Sequence, residues 1–201
     1  MMKRISIRIS RFLCRNNIAG KDKQELYVYA LEILLSSLLH FLTTAIIGFL
    51  CGMLVESLIM YLAFSLVRRY AGGFHASTAL KCYFTSIAAI IIMLFLISTV
   101  CKYGNDIAFY SILFISDVII WLASPIESHN KPLTPKEKKV FKAVSIALSS
   151  FITASAVLIY EFVAVNLGVS LCFGLMLVAT VLITSLLQSI LSKARHSVAN
   201  K

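Results

Sequence analysis

The sequence predicts an all-α integral membrane protein with six transmembrane helices and with both termini in the cytoplasm. First, 59% of its 201 residues are hydrophobic and 14% are charged, with a mean hydropathy of +0.88, which is more apolar surface than a soluble domain of this size could bury. Second, several apolar runs approach the roughly 20 residues that span a bilayer. Third, the basic residues behind the net charge of +10 lie in short clusters between these runs, as in a membrane protein rather than a nucleic-acid-binding one.

The first 24 residues form a basic arm ahead of the first apolar run. Residues 3–23 carry seven Lys/Arg and no uninterrupted apolar stretch, so the sequence predicts no cleavable signal peptide. Four apolar side chains share one helical face: Ile5, Ile9, Phe12 and Leu13. Basic residues surround that face, which predicts an amphipathic helix lying on an anionic membrane surface. A solvated basic tail is the alternative.

Residues 25–192 hold six apolar runs and form the predicted membrane domain, which a cytoplasmic tail of residues 193–201 follows. The runs cover residues 27–50, 53–67, 80–100, 107–123, 140–163 and 169–191. The second run is short for a crossing and needs tilt or local thinning of the bilayer, unless it is partly re-entrant. Glu56, near its start, is expected to contact water.

The polar segments between the runs predict where helices begin and end. Three short turns are expected, at Cys51-Gly52, at residues 102–106 and at residues 166–168. The longest connection, residues 124–139, contains all three prolines. It ends in Thr134-Pro135-Lys136-Glu137, which predicts a helix start with a capping box.

Basic residues are distributed unevenly among these polar segments. Of 19 Lys/Arg, seven lie in the N-terminal arm, three in residues 68–81, five in residues 131–142 and three in the C-terminal tail. Lys102 alone is left on the other side. By the positive-inside rule, both termini and the two central polar segments are cytoplasmic. The asymmetry supports six spans, because removing one span would scramble it.

The segment between the second and third runs carries the residues best suited to chemistry. It begins Arg68-Arg69-Tyr70-Ala71-Gly72-Gly73-Phe74-His75-Ala76 and reaches Cys82 six residues beyond. Charges and irregular backbone are tolerated at membrane depth only beside water or within protein, so these groups are functional candidates. A helix N-terminus and Lys81 would favour a thiolate at Cys82, and His75, which follows the Gly72-Gly73 pair, could fold back to accept its proton. This is the nucleophile and base arrangement of a cysteine peptidase.

The sequence contains no motif for a metal site, a disulfide framework or nucleotide binding. The five cysteines are scattered and include no C-x-x-C pair, so no disulfide framework or structural zinc site is predicted. Phosphate-binding glycine motifs and the H-E-x-x-H and G-x-S-x-G patterns are also missing. We therefore predict no metal and no cofactor.

Each candidate residue also has an ordinary explanation. A lone cysteine in an apolar helix is usually a small hydrophobe, a loop histidine is usually solvated, and arginines beside a span usually anchor it. Their combination on one side of the membrane, behind a glycine pair, favours catalysis. Asp117 lies inside the fourth run, where a hydrogen bond between helices explains it better than catalysis, so we leave it out of the catalytic set. If His75 is not the base, the remaining candidates are Asp117, Glu127 and His129.

These residues resemble the AgrB family, the membrane endopeptidases of accessory gene regulator quorum sensing in Gram-positive bacteria. The likeness rests on the stretch from Arg68 to Ala76, followed by Cys82 with six residues between histidine and cysteine. Pro125 and Asn130-Lys131-Pro132-Leu133 match the family's loop between the fourth and fifth spans. Length, span number and the basic arm are similar too, so the resemblance covers nearly the whole chain.

The resemblance implies a cysteine endopeptidase that removes the C-terminal tail of a small AgrD-like propeptide, with His75 as base and Cys82 as nucleophile. Supporting or substrate-binding positions would be Arg68, Arg69, Gly72 and Gly73. A cysteine or serine of the peptide would then attack the acyl-enzyme thioester and release a cyclic thiolactone or lactone. The implied partners are the propeptide and a cell membrane with an anionic inner leaflet, without nucleic acid, and a homodimer is left open.

Two functions from other classes stay open. One is a small peptide exporter with the glycine loop as a gate and Asp117 on the path, and the other is a structural membrane scaffold. Inverted repeats are not visible in the sequence, and a transporter does not need a histidine and a cysteine at this spacing. Shortening of a co-expressed propeptide separates proteolysis from both.

Overall fold

The computed structural model of the protein describes residues 2–16, 20, 24–72, 79–126 and 134–199. Within these ranges the chain folds into seven helices and one isolated backbone bridge, with no strand. The helices are α1 Met2–Arg15, α2 Gln24–Leu50, α3 Leu54–Ala71, α4 Ala79–Tyr103, α5 Asp106–Ala123, α6 Pro135–Phe162 and α7 Val165–Ala199. The predicted all-α class is confirmed for the described residues, and the six predicted runs correspond to α2 through α7 in order.

Five of these helices are long and apolar enough to cross a membrane: α2, α4, α5, α6 and α7. Helix α3 falls outside this group because its 18 residues include Glu56, Arg68 and Arg69. It nevertheless buries one apolar stripe, which includes Met60, Ala63 and Val67. The short second run is thus a helix that packs against protein and carries charges at both ends.

Large apolar side chains point away from the protein along the apolar helices. Examples that are at least 70% exposed are Phe95, Phe114, Leu122 and Phe151. A water-soluble protein rarely exposes a contiguous apolar surface of this kind, whereas lipid stabilises it. Side-chain exposure and helix composition therefore agree on a membrane-embedded protein.

The chain divides into two compact units, residues 1–46 and residues 47–201. In the first unit, α1 buries small residues one turn apart, Ser6, Ser10 and Cys14, while Phe12 stays 63% exposed. The Ser10 hydroxyl donates to the carbonyl oxygen of Gln24 at 3.3 Å, which fastens α1 to the start of α2. Because Phe12 is exposed, part of the apolar face of α1 is not covered by protein. The predicted boundaries at residues 24 and 192 stay predictions.

Helix α7 is the central helix of the second unit. It packs against α3, α4, α5 and α6, and α6 also packs against α3 and α5. Gly174 allows α3 to approach closely, because a Cβ at this position would lie 2.7 Å from the Cβ of Ala63 and 2.8 Å from the carbonyl oxygen of Met60. Small residues at a helix crossing are typical of membrane proteins, where packing rather than water drives association.

The predicted start of α6 is confirmed. The Thr134 hydroxyl accepts a hydrogen bond from the N–H of Glu137 at 3.3 Å, and the Glu137 carboxylate accepts from the N–H of Thr134 at 2.8 Å. Pro135 is the first helical residue, where its missing N–H leaves no partner unsatisfied. The capping box fixes the helix start beside the polar connection.

The predicted turn at residues 166–168 is wrong, because α6 ends at Phe162 and α7 already begins at Val165. The N–H groups of Val163 and Ala164 both donate to the carbonyl oxygen of Ile159, so the end of α6 itself closes the turn. Asn166 has another use. Its side-chain amide donates to the Glu56 carboxylate of α3 at 2.6 Å.

Hydrogen bonds between helices show which helix ends lie together in the second unit. The Asn166 to Glu56 bond joins the start of α7 to the start of α3. The Tyr160 hydroxyl, near the end of α6, donates to the Asp106 carboxylate at the start of α5 at 2.8 Å, and the Tyr110 hydroxyl donates to Glu161 at 2.6 Å. We call this the acidic end, defined by Glu56, Asp106 and Glu161.

The opposite end of the same helices is basic. Backbone contacts join the end of α3 to the residues that follow α5, and side-chain contacts join those residues to the first turns of α6. The described cations of this end are Arg68, Arg69, Lys136, Lys138, Lys139 and Lys142. We call it the basic end. Helices α3 and α5 therefore run in the same direction, and α6 runs opposite to both.

Candidate active site at the basic end

The predicted site begins in the last turn of α3. The Arg68 guanidinium lies over the ring of Phe64, 5.3 Å from its centroid, while Arg69 is exposed. Tyr70 meets Phe141 of α6 edge to face at a centroid distance of 5.7 Å. The aromatic contacts hold the end of α3 against α6, and they leave the Arg69 guanidinium accessible to anionic groups.

Gly72 follows α3 directly, and its surroundings require glycine. Its φ of 74° and ψ of −151° belong to a region that residues with a Cβ rarely adopt. Its N–H donates to the carbonyl oxygen of Arg68 at 3.1 Å and so ends the helix. A Cβ at Gly72 would also collide with the carbonyl oxygen of Ile126. Both backbone conformation and space therefore exclude a side chain.

A parallel backbone bridge pairs Gly72 with Ile126. The Ile126 N–H donates to the carbonyl oxygen of Ala71 at 3.0 Å, and Ile126 follows Pro125, whose peptide bond with Ser124 is cis. We call this contact the Gly72–Ile126 bridge. This bridge joins the two polar segments predicted from the sequence, residues 68–82 and 124–139, near the start of each.

Ser124 fixes the other side of this connection. Its N–H donates to the carbonyl oxygen of Ile120, which ends α5, and its hydroxyl lies 2.9 Å from that of Ser145 in α6. Both side chains are buried. Because the Ser145 hydroxyl donates to the carbonyl oxygen of Lys142 at 3.1 Å, the Ser124 hydroxyl must be the donor of the pair.

Cys82 lies in the first turns of α4, four residues into a helix that begins at Ala79. The end of α4 is joined to Asp106 of the acidic end through only Gly104 and Asn105. A helix of 25 residues is about 37 Å long, so the start of α4 lies toward the basic end. The backbone of Cys82 therefore belongs to the same end of the unit as Gly72. Its side chain, Gly73 and His75 lie outside what the structure describes.

Asp117 lies in α5 and is buried against α6. The Thr153 hydroxyl donates to its Oδ2 at 2.6 Å, which confirms the predicted hydrogen bond between helices. Its Oδ1 is buried, with no hydrogen-bond partner in the described part of the chain. One turn along each helix toward the basic end, the Trp121 indole donates to the Ser149 hydroxyl at 3.1 Å. Glu127, His129 and Asn130 lie outside the described residues.

Ile126 and the Ser124–Ser145 pair were not among the residues predicted from the sequence. A weak signal was present, because polar residues recur at helical spacing on both partners. The recurring positions are Asp117 and Trp121 on α5 and Ser124 directly after it, with Ser145, Ser149 and Thr153 on α6. They form three polar contacts along one helix pair, and the last lies next to the Gly72–Ile126 bridge.

The described residues hold no group of three or more His, Cys, Asp or Glu able to bind a metal ion. A groove of about 560 Å³ opens between the start of α3 and the start of α7, where Glu56 and Asn166 line it. It lies at the acidic end, far from Gly72. The basic end therefore offers cations, a fixed backbone junction and the start of α4.

The sequence of this chain is similar to a set of known proteins from one family. An AgrB-like protein of Clostridium perfringens (strain SM101 / Type A) is 29% identical over 188 residues, which cover 88% of this chain and 83% of that protein. AgrB-like protein 2 of Clostridium perfringens (strain 13 / Type A) is 27% identical, with 88% and 85% covered, and an AgrB-like protein of Listeria welshimeri is 27% identical over 69% of each chain. No solved structure matches the chain. Because residues 6–191 match the family Accessory gene regulator B, this multi-pass membrane protein belongs to the AgrB family of quorum-sensing peptide processing.

Proposed function

We propose that this chain is a membrane-embedded cysteine endopeptidase that removes the C-terminal tail of an AgrD-like propeptide and assists its cyclisation. The observation that carries the proposal is the convergence at the basic end. There Gly72, three residues before His75, pairs with Ile126 near the start of the second polar segment. Cys82 lies in the first turns of α4, at the same end. Family membership supplies the propeptide as substrate class.

The proposed chemistry is acyl transfer through a thioester. The Cys82 thiolate attacks the scissile carbonyl carbon after His75 has taken the thiol proton, and the imidazolium returns that proton to the leaving amine. The tail departs, and the rest of the propeptide is held as a thioester on Cys82. A thiol or hydroxyl of the peptide then attacks this thioester, closes the ring and releases Cys82.

Cyclisation in place of hydrolysis requires that water be kept from the thioester. Exchange of one thioester for another is nearly balanced in free energy, so ring closure needs no nucleotide provided water is excluded. A site at the membrane interface supplies such an environment. The cations of the basic end would attract an acidic peptide tail, while an amphipathic leader lies in the same interface.

We further propose that α3 is a sixth span and that the basic end faces the cytoplasm. Eighteen residues reach about 27 Å, close to the roughly 30 Å of a bilayer core. Glu56 lies at one end of α3 and Arg68 and Arg69 at the other, so all three charges can reach the interfaces. The exposed apolar side chains of α1 support the interfacial position of the N-terminal arm.

Substitution of single cysteines tests the proposed activity. We expect Cys82→Ser to abolish shortening of a co-expressed AgrD-like propeptide, because a serine hydroxyl is a far weaker nucleophile than a thiolate. Serine at the other four positions should leave substantial activity: Cys14, Cys51, Cys101 and Cys172. Propeptide length is read by mass spectrometry, and membrane abundance of each variant by immunoblot.

The role of His75 has its own measurement. If His75 activates the thiol, His75→Ala should lower the rate of propeptide cleavage by roughly 10²-fold, as expected for loss of a general base, and should also slow alkylation of Cys82 by iodoacetamide. Unchanged alkylation with weaker peptide binding would make His75 a substrate contact.

Equal loss of activity on substitution of all five cysteines would rule out a single nucleophile.

The exporter alternative has less support. The space between α3, α5, α6 and α7 is filled by apolar side chains such as Phe109, Phe173 and Leu182, which are almost fully buried. A path for a peptide through this packed region would require the helices to separate. A chain that secretes an uncut propeptide would nevertheless favour export over proteolysis.

A further inference from the structure

The residues between α5 and the second polar segment are fastened on two sides within three positions. Ser124 is tied to α6 by its hydroxyl, and Ile126 is tied to α3 by its N–H. Each contact is made by a buried or main-chain group, so neither depends on a flexible side chain. Together they determine where Ile126 lies relative to the end of α3.

The position of Ile126 in turn determines the exit of the chain from α3. Its carbonyl oxygen occupies the space that a Cβ of residue 72 would need, and its N–H holds the last carbonyl of the helix, that of Ala71. Residue 72 is therefore held in one backbone conformation from both faces. His75 follows three residues later.

We propose that the Ser124–Ser145 pair is a positioning device for the reaction, acting through the Gly72–Ile126 bridge on the segment that carries His75. The inference rests on the proposed function. Ser124 and Ser145 touch neither substrate nor thiol in this proposal, so they are positioning residues. Their effect is to keep the base in reach of Cys82, because small displacements of reacting groups cost large factors in rate.

The α5–α6 contact offers a closely matched control. Ser149 lies one turn beyond Ser145, is equally buried, donates to the carbonyl oxygen three residues before it and accepts a hydrogen bond from α5. Ser145→Ala and Ser149→Ala thus each remove one buried hydroxyl that contacts a residue of the α5 side, and Ser149 contacts the Asp117 carboxylate as well as Trp121. Only Ser145 is linked to the residues that hold Gly72.

The experiment measures propeptide cleavage in vesicles carrying the full-length protein. We expect Ser145→Ala and Ser124→Ala to lower kcat by roughly tenfold or more with little change in KM, and Ser149→Ala to leave kcat near that of the parent. Threonine keeps the hydroxyl and favours the extended backbone conformation that Ser124 adopts, so Ser124→Thr should keep kcat near that of the parent. Melting temperatures should fall by similar amounts in Ser145→Ala and Ser149→Ala, which separates positioning from stability.

A second readout is alkylation of Cys82 by iodoacetamide, followed by mass spectrometry of the peptide that contains it. It should slow in Ser124→Ala and Ser145→Ala but not in Ser149→Ala. If cleavage depends on Cys82 while Ser145→Ala and Ser149→Ala have equal kcat and equal alkylation rates, the inference is overturned and the proposed function stands. If cleavage does not depend on Cys82, the proposed function fails, and the positioning device, which rests on it, fails with it.

Discussion

Residues of the same type have different roles in this protein because their surroundings differ. Gly52 and Gly72 both adopt positive φ, 68° and 74°, yet a Cβ at Gly52 would meet nothing within 4 Å. At Gly72 it would collide with the main chain of Ile126. Ser145 and Ser149 likewise share burial and hydrogen bonding but differ in what they connect. Residue type alone therefore does not identify a functional position.

The two glycines give a prediction at this scale. Gly72→Ala combines backbone strain on the order of 1–3 kcal/mol with displacement of the Ile126 carbonyl, so we expect cleavage to be lost or strongly reduced. Gly52→Ala has the strain without the collision and lies at the opposite end of α3. It should keep cleavage close to that of the parent, measured with the same propeptide. Equal activity of the two variants would show that the Gly72–Ile126 bridge does not matter to the reaction.

At the scale of helices, sequence patterns predicted features that depend on residues close together in the chain. They did not predict contacts between residues far apart in it. Apolar runs predicted α2 to α7, and the capping box predicted the start of α6, because both depend on residues close together in the chain. The turn before α7 was misplaced, since Asn166 serves α3 rather than a turn. The bridge between Gly72 and Ile126 joins positions 54 residues apart and has no local signature. Cys82 stays a candidate that the sequence singled out by its polar surroundings, by its spacing from His75 and by the family resemblance.

The helix pair α5–α6 also shows how the buried carboxyl group of Asp117 is accommodated. Asp117 lies deep in the protein, with Thr153 bound to one carboxylate oxygen and the other oxygen buried without a partner in the described chain. A charge in this position is expensive, whereas a neutral acceptor for Thr153 is not. The position therefore requires a hydrogen-bond acceptor more than it requires a carboxylate.

Asp117→Asn tests that interpretation. The amide oxygen can still accept from Thr153 and no charge is buried, so we expect an equal or higher melting temperature and retained cleavage. Asp117→Leu leaves the Thr153 hydroxyl without this acceptor and should destabilise the protein by about 1–3 kcal/mol. Thermal unfolding in detergent measures both variants. Loss of cleavage in a stable Asp117→Asn protein would instead make Asp117 a catalytic group.

At the scale of the whole molecule, the distribution of charge predicts the orientation in the membrane. Within the second unit, Glu56, Asp106 and Glu161 lie at one end, and the described cations apart from Lys102 lie at the other. The candidate active site lies at the basic end, where an anionic leaflet and an acidic peptide segment would both be attracted. One charge pattern would therefore serve both membrane insertion and substrate approach.

The orientation that follows can be measured directly. Because 18 of the 19 Lys/Arg belong to segments assigned to one side, the positive-inside rule predicts that residues 10, 72, 130 and 198 are cytoplasmic and residue 104 is outside. Reporter fusions at these positions, or labelling of introduced cysteines with an impermeant reagent, should give that pattern. The result also decides whether α3 is a span, because a re-entrant α3 would leave five crossings. Residues 10 and 198 would then lie on opposite sides of the membrane, and, with residue 10 in the cytoplasm, residue 72 would be outside and residue 104 inside. Finding residue 72 or residue 130 outside would move the candidate active site to the other face of the membrane and remove the cytoplasmic propeptide from its reach.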